Sequence, residues 1–136
     1  MTKRVIIFLL SALFVSLVYS EERTFSHEGL DRTYQLYLPE NLKKEAPLVV
    51  VIHGYTSSAE NIMSYSRMNE VADREGFAVV YPQGTIDSQG NAFFNVGYEF
   101  NQASKINDVS FIRELVLYLR EEYQLSKKNI FATGMS

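Results

Sequence analysis

The sequence has 136 residues, 46% hydrophobic and 21% charged, the size and mix of one folded domain rather than a disordered chain. Its formal net charge of −3, without basic runs, leaves no electrostatic footprint for nucleic acid. It holds no cysteine and only two imidazoles, His27 and His53; this excludes disulfides and thiolate metal sites and argues against a multi-histidine metal centre.

The N-terminus is unlike the rest. Lys3 and Arg4 precede a continuous apolar run over residues 5–18, and the modest residues Val18 and Ser20 stand ahead of Glu21. This is the layout of a secretory signal peptide cleaved after Ser20. The run is short of the ~20 residues a bilayer span needs. Residues 1–20 are therefore expected to be a leader and residues 21–136 the domain, exported to the periplasm or outside the cell and free of the membrane after cleavage.

Two strands come next, around a turn at Glu28, Gly29, Leu30 and Asp31. Tyr34, Leu36 and Leu38 alternate with Thr33, Gln35 and Tyr37, the period-two pattern of a half-buried strand. Pro39 ends it, because proline cannot donate to a ladder. Two unbroken apolar runs follow, "PLVVVIHG" and "GFAVVYPQG", rich in β-branched residues and typical of parallel strands covered on both faces. The segment between them predicts one helix. Ser57 or Ser58 caps its start, Ile62, Tyr65, Met68, Val71 and Ala72 share its apolar face, and Gly76 stops it.

A second helix is expected in "NDVSFIRELVLYLREEYQ", capped by Asn107 or Asp108, with Val109, Ile112, Leu115, Val116 and Leu119 along one face. A short strand from Ile130 to Thr133 completes the series. Strand–helix–strand–helix–strand specifies an α/β domain with right-handed crossovers. Residues 82–107 form a long connection, and such loops are commonly functional. Its aromatics Phe93, Phe94, Tyr98 and Phe100 fit equally a surface excursion packed on the domain and the wall of a substrate cleft.

In open α/β sheets ligands sit at the carboxyl ends of strands where the winding reverses. "HGYTSS" follows the first buried strand and "GMS" the last. If those strands are neighbours, Tyr55 and Ser136 meet. In this order "RTYQLYLP", "HGY", "YPQG", "NDVSFIREL" and "NIFATGMS" resemble secreted α/β-hydrolase esterases of the polyhydroxybutyrate-depolymerase-like and feruloyl-esterase-like group. The likeness runs over residues 23–136.

The resemblance implies the N-terminal part of an α/β-hydrolase fold. It comprises a mostly parallel sheet with an N-terminal antiparallel strand pair, incomplete within these residues. It implies Ser136 as the nucleophile of a G-x-S-x-G elbow, of which Gly134, Met135 and Ser136 are present. It also implies an oxyanion loop at His53, Gly54 and Tyr55, with the Tyr55 N–H as donor. No metal or organic cofactor is implied, and the partner is a small or polymeric ester. The family order of serine, then acid, then histidine assigns His53 to shaping the loop and leaves no triad acid or base among these residues. On this reading Asp108 is a helix cap, Asp87 part of the long loop, and His27 a surface residue. Two other readings are a non-catalytic secreted module binding esterified polymers, or a gene remnant. A nucleotide-binding domain is disfavoured, because no loop matches a GxxxxGK[ST] phosphate cradle. The sequence leaves the oligomeric state open.

Overall fold

Glu28 and Gly29 both have positive φ, 49° and 77°, the backbone a two-residue hairpin turn of primed type requires. They join strand β1 (Glu21–His27) to β2 (Leu30–Tyr37), antiparallel, with Glu21 opposite Leu36 and His27 opposite Leu30. The pairing thus closes tighter than the four-residue turn read from the sequence. The computed structural model describes residues 21–97, 99 and 104–135. The leader read over residues 1–20 and the candidate residues Tyr98, Phe100 and Ser136 lie outside them.

The rest of the main sheet is parallel. It comprises β3 (Leu48–Ile52), β4 (Ala78–Pro82) and β7 (Ile130–Gly134), in the overall order β1-β2-β4-β3-β7. From β3 the chain passes through α1 (Ala59–Ser66) and α2 (Met68–Glu75) to β4 on one side. It then returns through α3 (Asp108–Glu122) to β7 on the other. Winding therefore reverses at β3, as the placement of "HGYTSS" requires.

Period-two alternation sends Leu48 and Val50 of β3 to one face, with Val80, Tyr34 and Leu36, under Phe111, Leu115 and Leu119 of α3. Val51 goes to the other face with Val79, Tyr81 and Tyr37, under Ile62 of α1 and Ala72 of α2. Burial on both sides is why these strands read as continuous apolar runs. It also corrects the half-buried reading of β2: Tyr37 is buried on the second face, and its hydroxyl donates to Asp73 at 2.7 Å.

Three further expectations change. The single helix after β3 is two helices, because Arg67 takes a left-handed conformation, φ 51°, fixed by a paired contact from its guanidinium to Glu70 at 2.7 and 2.6 Å. The break turns Tyr65 out to solvent. Ser58 caps α1 and Gly76 ends α2, as read. In α3 the cap is Asn107 and the buried stripe is Asp108, Phe111, Leu115 and Leu119, while Val109 is exposed. The larger Phe111 ring buries more apolar area than a valine and takes the core position. His27 is no surface residue: it is 5% exposed, packed against Phe111, with Nδ1 3.1 Å from Glu114.

The long connection is also more ordered than a bare loop. It contains an antiparallel hairpin, β5 (Thr85–Ile86) and β6 (Ala92–Phe93). At the β7 margin of the main sheet, β3 is the one strand paired with β7 among the described residues, and Phe131 is exposed.

Candidate active site

The backbone after β3 turns at once. The Ser57 N–H donates to the Gly54 carbonyl at 3.1 Å, so Tyr55 and Thr56 are the central residues of a four-residue turn. Thr56 has φ 66°, a sparsely occupied conformation for a β-branched residue that persists only when neighbours hold it.

His53 holds it from below. Its ring is 2% exposed. Nδ1–H donates to the Gly54 carbonyl at 2.8 Å, and Nε2 accepts the Gly84 N–H at 3.0 Å, with the Gln83 amide nitrogen 3.2 Å away. The carbonyl partner fixes the proton on Nδ1, and both nitrogens are engaged. His53 is thus built into the loop and is not poised as a base.

Burial lowers the His53 pKa, against smaller raising effects from the Gly54 carbonyl and Asp108. The unfolded chain then binds a proton that the folded chain refuses. Stability from this ring is full above the ordinary histidine value of 6.5 and is lost as pH falls through the lower folded value. An NMR titration is expected to show His53 protonating below 6.5, as the sign of that shift requires, with the Gly84 amide resonance following it. Titration at or above 6.5 contradicts this arrangement.

The hairpin supplies a wall. The Thr56 N–H donates to the Ala92 carbonyl at 2.9 Å. The Tyr55 hydroxyl donates to Asp87 at 2.7 Å and receives the Asn91 amide at 3.0 Å. The Phe94 ring lies 4.8 Å from the His53 ring. Beyond it, the Asn95 N–H donates to Asp108 at 2.5 Å, and Asp108 pairs with Arg32 at 2.6 Å.

The third side comes from β7. Its register puts Ile52 beside Gly134, and the Met135 N–H donates to the Ile52 carbonyl at 3.1 Å. A Cβ at Gly134 would stand 2.6 Å from that carbonyl oxygen, so only glycine permits the approach. The result is a cavity of about 380 Å³ lined by His53, Gly54, Tyr55, Phe93, Phe94, Gly134 and Met135, among others. Five of the eight candidate residues read from the sequence are thus brought together, and the other three lie outside the described residues.

Residues 32–136 match the family described as Esterase PHB depolymerase. The chain belongs to that esterase family. Over 109 residues it is 28% identical to a bifunctional acetylxylan esterase/xylanase from Neocallimastix patriciarum, covering 80% of this chain and 15% of that protein. Over 108 residues it is 30% identical to acetylxylan esterase A from Talaromyces purpureogenus, covering 74% of this chain and 26% of the relative. The chain therefore spans about a quarter of the length of that relative and less of the first. Among solved structures it superposes on a substrate-bound fluorophosphonate-binding serine hydrolase from Staphylococcus aureus. The TM-score is 0.64 at 20% identity, over 85% of this chain and 46% of that one. That likeness establishes the fold: the described residues form part of an α/β-hydrolase fold.

Sequence reasoning missed the supports of this candidate site. Gln83 and Gly84 stood in the quoted "YPQG", but nothing in the tetrapeptide says that they meet His53. Arg32, Asn95 and Asp108 come together only through contacts remote in sequence.

Proposed function

We propose that this chain carries the oxyanion turn and the nucleophile position of a secreted serine carboxylic-ester hydrolase. The observation that carries the reading is the Met135 N–H bonded to the Ile52 carbonyl, which holds Met135 against the end of β3, where the turn begins. In this reading the Ser136 hydroxyl attacks the ester carbonyl. The Tyr55 N–H and the N–H of the residue after the nucleophile receive the developing oxyanion. Expulsion of the alcohol leaves an acyl-enzyme, which water then hydrolyses.

The base is neither imidazole present here. His53 has both ring nitrogens engaged below the turn, and His27 sits in the β1–β2 hairpin against α3. The 136 residues alone are therefore expected to hydrolyse esters at a residual rate at most, since a serine without a base is a poor nucleophile. The relatives' names favour acetyl esters on xylan as substrate, while the Phe93 and Phe94 rings lining the cavity suit an aromatic acyl group. Polyhydroxyalkanoates are the competing class. Residues 1–20 act as the leader, and the exported protein begins at Glu21.

The test is to read the coding DNA past codon 136 and express the frame as the gene carries it. A glycine two residues after Ser136, with an acid and a histidine beyond, is expected. That protein is expected to release acetate from acetylated xylan, and Ser136→Ala to cut the rate by about a million-fold. An unchanged rate in Ser136→Ala overturns the assignment. Binding to acetylated xylan without turnover favours the non-catalytic module.

A further inference from the structure

The geometry points to Asp87 as a positioning residue for the oxyanion turn, acting through the side chain of Tyr55. This rests on the reading of Tyr55 as the oxyanion donor.

The Tyr55 side chain is 44% exposed, and its polar tip reaches the hairpin. The side chain's direction is fixed at that end. Its hydroxyl donates to Asp87 Oδ2 at 2.7 Å and accepts from Asn91 Nδ2 at 3.0 Å. Asp87 is itself held: its Oδ1 accepts the N–H groups of Gln89 at 2.8 Å and Asn91 at 2.9 Å. Its own N–H donates to the Asn91 carbonyl at 2.9 Å. These bonds, with that from Asn91 N–H foremost, keep the carboxyl below its usual range, so it accepts from Tyr55 throughout neutral pH.

Pinning the phenol fixes the Cα–Cβ direction of the residue whose N–H would receive the oxyanion. The next residue, Thr56, is in the left-handed region, where a turn needs restraint from its surroundings. His53 restrains the turn from beneath, while Asp87 and the Ala92 carbonyl restrain it from the hairpin side. Donors must be held within about half an ångström of productive geometry, and a misplacement of about 1 Å can cost a hundredfold in rate.

The two ends of the clasp can be cut separately in the full gene product. Asp87→Asn keeps an oxygen for Gln89 and Asn91 but loses the acceptor for the phenol. Tyr55→Phe removes the hydroxyl alone. Each is expected to lower kcat on p-nitrophenyl acetate about tenfold while KM stays within about twofold, because the loss falls on the transition state. The double variant is expected to be no slower than Tyr55→Phe, because removing the hydroxyl already removes the Asp87 contact along with that from Asn91. Amide exchange at Thr56, bonded to Ala92, is expected to quicken in all three. An active wild-type enzyme with unchanged kcat in the single variants, or with losses that multiply in the double, overturns the role of Asp87. A wild-type protein without esterase activity overturns the reading of the site and this role with it.

Discussion

Asp108→Ala is expected to destabilise the domain by about 3–5 kcal/mol, the usual cost of removing one partner from a buried ion pair. Arg32 and Asp108 are 4% and 2% exposed and 2.6 Å apart. The guanidinium stacks over the Phe111 ring at 3.9 Å and donates also to the Gln83 carbonyl at 3.2 Å. Without Asp108 the guanidinium stays charged, because arginine does not deprotonate in proteins, and the Asn95 N–H loses its acceptor. The fall is read from the urea midpoint at constant m-value. Arg32→Met with Asp108→Leu is expected to recover part of it, since an apolar pair needs no partner charge. Asn95 remains unsatisfied in that variant, so recovery stays incomplete. A loss under about 1 kcal/mol for Asp108→Ala rejects the account.

Gly84→Ala is the second large effect, and it falls on the site as well as on stability. An added Cβ would stand 2.3 Å from the Phe93 carbonyl oxygen, 2.7 Å from its carbon and 3.2 Å from the His53 ring. The first two atoms are backbone, so no side-chain rotation relieves the clash. Either β6 moves off β4's end or Gly84 withdraws from His53 and gives up their 3.0 Å bond. Overpacking of this kind costs about 1–3 kcal/mol. The site-specific signature is a shift of the Tyr55, Thr56 and Phe94 resonances with those of the α3 core unchanged. A wild-type spectrum and an unaltered denaturation midpoint count against it.

How much of this was legible in the sequence depends on the range of the interaction. β3 and β4 announced themselves because burial on both faces demands unbroken apolar runs, and Ser58 and Gly76 because capping is chemistry within a few residues. Arg67 gave no sign of a break, since no glycine or proline marks it. The Asp108 side chain was read as a cap because its partner Arg32 lies in another strand, and His27 as exposed because its partner Glu114 lies in a helix. For the site, "HGY" and "GMS" could be named as strand ends, yet their adjacency depended on β7 choosing β3. Phe93 and Phe94 could not be placed from composition, because the fold of the loop decides whether an aromatic ring lines a wall or covers the domain. The wall came from Asp87 and Asn91 closing a hairpin that alternation over two-residue strands is too short to reveal.

The sheet order has a kinetic consequence. β7 pairs with β3 and not with β4, the strand before it in the main sheet, so the two halves of the cavity are joined by the pairing of most distant sequence separation among the parallel strands. Such contacts form late, because the closure entropy of the intervening chain must be met before the strands reward it. β1 to β4 and their helices can assemble with the turn already formed and still leave the cavity one-sided. Catalysis, on the proposed reading, then begins only when the last pairing is made. Recovery of activity during refolding should accordingly lag recovery of helix signal, and turnover becomes a reporter of completed assembly.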